Sequence, residues 1–153
     1  MSVKPHTLSD LLQEACNLVK REPWFMAHNY EAIPQDTGDL DNTLKAKLFT
    51  VGERSLIMFT IEGFTPESSA STNPIGTVEL VAMVSEKAQH NRSRPTWAAA
   101  FTVAENLAVY MNLKTIFEHT LYNPKIEFRP DAGLLNYRVS FKIQYVLKGL
   151  TNA

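Results

Sequence analysis

The chain of 153 residues is 44% hydrophobic and 20% charged, a composition that excludes collagen-like, disordered and coiled-coil architectures. Its 15 basic and 16 acidic residues leave a net charge of −1, so no global field attracts it to nucleic acid or to a membrane surface. The single cysteine excludes an internal disulfide, and no segment approaches the roughly 20 apolar residues that cross a bilayer. We therefore expect residues 1–153 to form one soluble, intracellular domain without a signal peptide.

The N-terminal segment predicts an amphipathic helix. Its apolar residues recur at helical spacing: Leu8, Leu11, Leu12, Ala15 and Val19. Thr7 is placed to cap this helix together with Asp10, and Pro23 is expected to end it. Cys16 lies beside the apolar stripe, where a buried small side chain is favoured over a reactive thiol.

Residues 24–42 have no clean period, and we interpret them as a connection or a short extended piece held by Trp24 and Phe25. Residues 44–51 alternate apolar and lysine side chains, which predicts a half-buried strand. Asp36, Asp39 and Asp41 lie between these segments. They lack the glycine and glutamate spacing of a calcium loop, so a solvated turn is favoured.

The middle of the sequence predicts two further strands. Residues 55–64 have apolar side chains at both odd and even positions, which is typical of a strand covered on both faces. Residues 77–86 predict a further strand of the sheet. Residues 65–76 are rich in Ser, Thr and Pro, which predicts a loop. Glu62 and Glu79 fall on neighbouring strands and could face one another as paired carboxylates, but outward-facing edge charges are favoured.

Residues 96–113 predict a second helix, with Asn112 as a candidate cap at its end. Its apolar stripe consists of Trp97, Ala100, Phe101, Ala104, Leu107, Ala108 and Met111. The opposite face carries only one charged residue, Glu105, so we expect a second surface to cover this face as well. Oligomerisation is the economical way to supply that surface. The candidate oligomer-interface residues are Trp97, Ala98, Ala99, Thr102 and Val109.

The C-terminal part predicts strands. Residues 114–124 either pair as a strand or connect, residues 125–130 form a short strand, and residues 130–133 form a turn. Apolar and polar side chains alternate along residues 136–147, which predicts a strand with one buried face and one solvent-exposed face. The whole pattern predicts an α+β fold, with a mainly antiparallel or mixed β-sheet and two principal helices packed on one face.

Sequence motifs for catalysis are lacking. There is no nucleophile elbow, phosphate loop, dinucleotide fingerprint or paired metal-ligand motif, and His6, His28, His90 and His119 have no metal-ligand spacing. We expect no enzyme activity, no catalytic site and no bound cofactor or metal. The polar linker before the second helix carries four basic side chains: Lys87, His90, Arg92 and Arg94. It is either a solvated loop or a contact with an acidic surface or with nucleic acid phosphate.

The order of these elements resembles the tail terminator, or tail-completion, proteins of long-tailed bacteriophages, of the lambda minor tail protein U and Mu-like types. The matching segments are residues 7–20, 55–64, 77–94, 96–113 and 136–147. The resemblance implies a structural virion protein that forms a ring, commonly a hexamer. Such a ring caps the tail tube, terminates its polymerisation and joins the tail to the head-neck connector.

Under this resemblance the partners are further copies of the chain, the tail tube protein, the head-neck connector protein and, transiently, DNA in the lumen. Localisation would be the virion tail or neck after assembly in the host cytoplasm. The basic linker and residues 65–76 would be candidate inter-ring or lumen contacts. The alternatives are another phage neck, head-tail connector or baseplate component, or a module that binds a small molecule or peptide.

Overall fold

The computed structural model describes residues 7–28, 30–34, 55–68, 74–87, 100–129 and 134–147. The helices in these ranges are α1 (Leu8–Lys20), α2 (Pro23–Ala27) and α3 (Ala100–Met111). The strands are β1 (Tyr30–Pro34), β2 (Ser55–Ser68), β3 (Ile75–Lys87), β4 (Thr115–Ile116), β5 (His119–Thr120), β6 (Tyr122–Phe128) and β7 (Leu134–Val146). None of the helices in these ranges is long and apolar enough to span a membrane.

Five strands form one mixed sheet in the order β1-β2-β3-β7-β6. β1 runs parallel to β2, and the other neighbours are antiparallel. β4 and β5 form a separate small hairpin. The predicted α+β fold with a mainly antiparallel sheet is confirmed.

The main core lies between one face of the sheet and the helices α1 and α3. The alternating residues of β7 supply Val139, Phe141 and Ile143 to this core, and the two long helices contribute Leu11 and Leu107, all of them buried. A second, smaller apolar cluster on the opposite face contains Met58, Val81 and Met83. β2 is thus buried on both faces over Leu56–Phe59, as predicted from its apolar residues at both odd and even positions.

The segment after α1 is more regular than predicted. α1 ends at Lys20, and Pro23 begins the short helix α2, where its missing N–H removes no helical hydrogen bond. The carboxylate of Glu22 accepts a hydrogen bond from the backbone N–H of Trp24 at 3.3 Å and so caps α2. The interpretation of residues 24–42 as a connection is therefore wrong for α2, whereas the extended piece is β1.

The predicted loop at residues 65–76 is in part strand, because β2 continues to Ser68 and β3 begins at Ile75. Pairing continues through two register shifts, between Ile61 and Gly63 and between Pro66 and Ser68. Gly76 permits the close approach of the two strands, since a Cβ there would lie 2.2 Å from the backbone oxygen of Thr65. The predicted strand at residues 44–51 and the predicted turn at residues 130–133 lie outside the described residues.

Asn112 follows Met111, the last residue of α3, and so occupies the cap position at the end of the helix. The backbone turns at the next residue, Leu113, whose φ is 65°. Leu113 donates its N–H to the carbonyl of Leu121 at 2.9 Å, which ties the end of α3 to the start of β6. Residues 114–124, left open between strand and connection, form the β4–β5 hairpin and the first residues of β6.

Candidate functional site

The outward face of α3 is apolar. Phe101 is 54% exposed and Val109 is 74% exposed, and Leu113 just beyond the helix is also exposed. Thr102 and the single charged residue, Glu105, lie on the same exposed side. A helix face of this composition is typical of a surface that another surface covers.

Phe101 is predicted in the buried stripe of α3, and this prediction is wrong. The buried arc of the helix is centred on Leu107 and takes in Val103, which leaves Phe101 at its margin. The Phe101 ring instead packs edge-on against Tyr137 of β7, with 5.8 Å between ring centroids. Phe128 of β6 packs against the same tyrosine at 4.9 Å. Aromatic side chains therefore continue from α3 onto the side of the sheet.

A groove of about 470 Å³ lies between α2 and α3. We call it the helix groove, and its lining consists of Glu22, Trp24, Phe25, Glu105, Asn106, Val109 and Tyr110. The Trp24 and Phe25 rings meet edge to face at 5.2 Å, and Phe25 lies 6.0 Å from the Tyr110 ring. The lining thus combines aromatic surface with one carboxylate from each helical element.

Tyr110 fixes the position of α3 beside α1. Its hydroxyl donates a hydrogen bond to the backbone carbonyl of Leu18 at 2.9 Å. Burial raises the pKa of Tyr110, and the nearby carboxylate of Glu22 raises it further. The phenol therefore stays neutral and keeps donating at physiological pH.

Sequence reasoning missed the helix groove. Trp24 and Phe25 were expected only to hold a connection, yet on α2 they form its aromatic part. The available signal was local: Glu22 precedes a proline that is followed by apolar residues, which is a helix-start pattern. The meeting of α2 with α3 had no such signal, because more than 70 residues of sequence separate them.

On the opposite face of the sheet, Arg138 binds three carboxylates from three other strands. Its guanidinium contacts Glu62 on β2, Glu79 on β3 at 2.8 Å and Glu127 on β6 at 3.1 Å. Arg138 itself pairs in register with Met83, whereas Glu79 pairs with Lys142, four residues along β7. The arginine side chain must therefore extend along the sheet to reach Glu79.

The Arg138 cluster is a set of ion pairs and not a proton-transfer site. Hydrogen bonding to Glu62 raises the pKa of Arg138 above its ordinary value, and the hydrogen bond from Lys125 lowers the pKa of Glu127. Because a guanidinium does not release its proton, Glu62 and Glu79 share a permanent cation. Both carboxylates contact Arg138, and Glu79 lies on the interior strand β3, so the favoured interpretation as edge charges is wrong for Glu79.

A second depression, of about 550 Å³, lies beside β5 and the end of β7. His119 lines it and is engaged, with Nδ1 at 2.7 Å from the carbonyl of Gln144 and its ring 5.4 Å from that of Tyr145. His28 likewise places Nδ1 at 2.8 Å from the carbonyl of Trp24. Within the described ranges, no group of three His, Cys, Asp or Glu side chains could hold a metal ion.

The thiol of Cys16 lies in the core beneath α1. It is fully buried, and burial raises its pKa to about 12. Because the thiolate is the reactive form, this cysteine is inert in the folded protein, and the interpretation of Cys16 as a buried small side chain is confirmed.

The structure describes only some of the predicted site residues. Thr102 and Val109 of the candidate oligomer interface lie on the exposed side of α3. Trp97, Ala98 and Ala99 lie outside the described residues. Of the basic linker, Lys87 ends β3, its backbone opposite Leu134, while His90, Arg92 and Arg94 also lie outside the described part of the chain.

No protein-family model matches the chain, and no curated protein is significantly similar to it.

Proposed function

We propose that the chain is a structural protein that assembles into a closed homo-oligomeric ring, of the kind that terminates bacteriophage tails. The observation that carries this proposal is the exposed apolar side of α3, above all Val109. Full burial of a valine side chain contributes about 1.5–3 kcal/mol, so repeated contacts through this face would stabilise an assembly considerably. The α+β fold, with α1 and α3 on one face of the sheet, agrees with the element order on which the resemblance to tail terminators rests.

In this function the ring, a hexamer, caps the last ring of the tail tube protein and presents its other side to the head-neck connector protein. The basic linker of each copy would contribute to a ring of positive charge near the lumen through which DNA passes; its basic residues are Lys87, His90, Arg92 and Arg94. The ion pairs of Arg138 would serve this role by joining β2, β3, β7 and β6 into a stiff platform. The protein would then reside in the virion.

Light scattering coupled to size-exclusion chromatography, with negative-stain imaging, tests the proposal. The wild-type protein should elute as one closed oligomer with ring-shaped particles. Val109→Glu should remain folded by circular dichroism and lose the oligomer, because a charge on this face opposes burial. Gln13→Glu, on the exposed side of α1, is the matched control and should still assemble.

A wild-type monomer at every concentration, or a Val109→Glu variant that assembles like the wild type, would contradict the proposal. The tail-specific part has its own test. The wild-type ring, added to polymerising tail tube protein from the same genome, should shorten the tubes and appear at one tube end. Unchanged tube lengths with no cap would contradict the tail-terminator role. They would favour a ring-forming protein at another position in the phage neck or baseplate.

A module that binds a peptide is the second candidate, because the helix groove joins aromatic side chains to two carboxylates. Such a module would be a monomer that binds basic peptides through Trp24 and Glu105. A Trp24→Ala variant separates the two functions when peptide binding, measured by fluorescence, is compared with the oligomeric state.

A further inference from the structure

We propose that a hollow on the sheet face opposite the helices binds a neutral saccharide. The hollow, which we call the sheet hollow, has a volume of about 340 Å³, within the range of about 300–1,000 Å³ that is typical of ligand sites. It lies within one copy of the chain, so this inference is independent of the proposed ring. Its polar lining comes from the adjacent strands β2, β3, β7 and β6 and consists of Thr65, Thr77, Glu79, Tyr122, Asn123 and Lys142.

Strand register brings the lining together on one face of the sheet. Lys142 of β7 lies opposite Glu79 of β3 on one side and opposite Tyr122 of β6 on the other. Thr65 of β2 lies opposite Thr77 of β3. The alternate residues of β3 and β7 belong to the main core on the other face. The sheet hollow is therefore a continuous polar surface centred on Lys142.

Lys142 lacks the ion pair that its position predicts. Opposite charges directly across an antiparallel strand pair normally attract each other. Glu79 instead places Oε1 at 2.8 Å from Nη2 of Arg138, four residues along β7. Among the described residues, no carboxylate forms an ion pair with the Lys142 ammonium. Its three N–H donors therefore remain available to a ligand.

Other polar groups of the sheet hollow are also uncommitted. Within the described ranges, the hydroxyls of Thr65 and Thr77 and the amide of Asn123 form no side-chain hydrogen bond, and Glu79 has a second oxygen, Oε2, that can accept. The neighbouring part of the same face differs, because its charged side chains bind one another around Arg138. Several donors and acceptors thus converge on one small volume without satisfying each other.

Gly63 leaves space in the sheet hollow that the fold does not use. It lies opposite Glu79, directly after the bulge of β2, and lines the hollow. A Cβ at this position would meet no atom within 4 Å, and the φ of Gly63 is outside the left-handed region. Neither packing nor backbone conformation therefore requires glycine here. Glycine inside a strand is often found where a ligand approaches the backbone closely.

The charges of the sheet hollow favour a neutral ligand that is rich in hydroxyl groups. The Lys142 ammonium opposes a cation, and the Glu79 carboxylate opposes an anion. An apolar ligand would take these polar groups out of water without giving them partners. A saccharide offers both donors and acceptors around a compact ring, and its C–H face can pack on the aromatic ring of Tyr122.

Tyr122 also gives the site a direction in which it can extend. The same residue lines the depression beside β5, together with Thr120 and Gln144. Tyr122 thus lies between two adjoining hollows, and the second one offers further hydroxyl and amide groups to the next sugar unit. We therefore expect a trisaccharide to bind more tightly than the corresponding monosaccharide.

Saturation-transfer NMR with maltotriose, cellotriose and tri-N-acetylchitotriose tests the proposal, and calorimetry then gives the Kd of the tightest ligand. The wild type should bind at least one of them. Gly63→Val should fold like the wild type and weaken binding about tenfold or more, because its side chain fills the hollow. Lys142→Ala should have a similar effect. Lys125→Ala, an exposed lysine on the same face but outside the lining, is the matched control and should not change the Kd.

Three outcomes would overturn this inference. They are no binding of any of the three saccharides at millimolar concentration, equal binding by wild type and Gly63→Val, and tighter binding of an anionic galacturonic acid trimer. If Gly63→Val does not fold, Lys142→Ala against Lys125→Ala decides in its place. Val109→Glu should bind the saccharide with the wild-type Kd, so a failure of the proposed ring would leave the saccharide site standing, whereas a loss of binding in this variant would contradict a site within one copy.

Discussion

Helices α1 and α3 pack on the same face of the sheet, yet their outer surfaces differ. The outer side of α1 is polar and internally bonded: Gln13 donates to Asn17, Asn17 donates to Glu14, and Arg21 pairs with Glu14. The outer side of α3 instead exposes Val109 and has a single charged residue. Contacts within one protomer satisfy both sides of α1, whereas they cover only the sheet-facing side of α3. We therefore place the assembly contact on α3.

The predictions below test this difference, from the largest expected effect to the smallest. Each one is measured in the Val109→Glu background, because assembly adds its own stabilisation to the folded state.

The largest effect should be equal for the two helices, because their buried sides are equivalent. Leu11→Ala on α1 and Leu107→Ala on α3 each remove a fully buried side chain. Each should lower the free energy of unfolding by about 2–5 kcal/mol in urea denaturation followed by circular dichroism. A loss well below this range for Leu107→Ala alone would mean that α3 is loosely docked on the sheet.

Alkaline pH should destabilise the folded protein through α1, because this helix has a buried thiol. Cys16 has a native pKa of about 12, against 9.0 for an unperturbed thiol. Between these two pH values the unfolded chain loses this proton and the folded chain keeps it. The free energy of unfolding should therefore fall as pH rises, by up to about 1.4 kcal/mol per pH unit from this group.

Cys16→Ala isolates that contribution. Burial also raises the pKa of Tyr110 and Tyr145, which gives a slope of the same sign. The variant should therefore keep some pH dependence above pH 9 but show a shallower slope than its parent. Identical slopes would show that the thiol is not protected in the fold.

The start of α1 should contribute about 1 kcal/mol through its cap. The Asp10 backbone N–H donates to the Thr7 hydroxyl at 3.3 Å, and the Thr7 N–H donates to the Asp10 carboxylate at 2.9 Å. Thr7→Ala removes the first bond and should lower the melting temperature, whereas Thr7→Ser keeps a hydroxyl and should not. Equal melting temperatures for both variants would show that the cap contributes nothing.

The smallest expected effect is a gain at the end of α3. Leu113 adopts a left-handed conformation that glycine accepts without strain. Leu113→Gly should raise the free energy of unfolding by about 0.5–1 kcal/mol. Leu113→Ala keeps the strain without the leucine side chain and should give no gain. Equal stability of the two variants would contradict strain at this residue.

Much of the fold could be predicted because the local patterns are strong. α1 with its Thr7 cap, β2, β3 and the alternation of β7 follow from periodicity and capping chemistry. The predictions failed where pairing between strands overrides local composition. The polar ends of β2 and β3 read as a loop, but the bulge near Gly63 resets the register so that Phe64 joins the core face.

The candidate site was predictable only in part. Thr102 and Val109 could be chosen because helical spacing separates the two sides of α3, and a side with one charged residue is unusual. The helix groove and the three partners of Arg138 were not predictable, since each joins residues far apart in the chain. Sequence placed Glu62 and Glu79 on adjacent strands, but it gave no indication that Arg138 lies between them.

The sequence by itself determined which segments become helices or strands and which of their sides are apolar, because backbone geometry fixes how side chains repeat along each element. Only the tertiary structure decided the strand order, the exposure of Phe101 and the meeting of side chains from β2, β3, β6 and β7 at Arg138. Those features depend on contacts between distant segments, and their free energies arise from packing and charge pairing that no local pattern encodes.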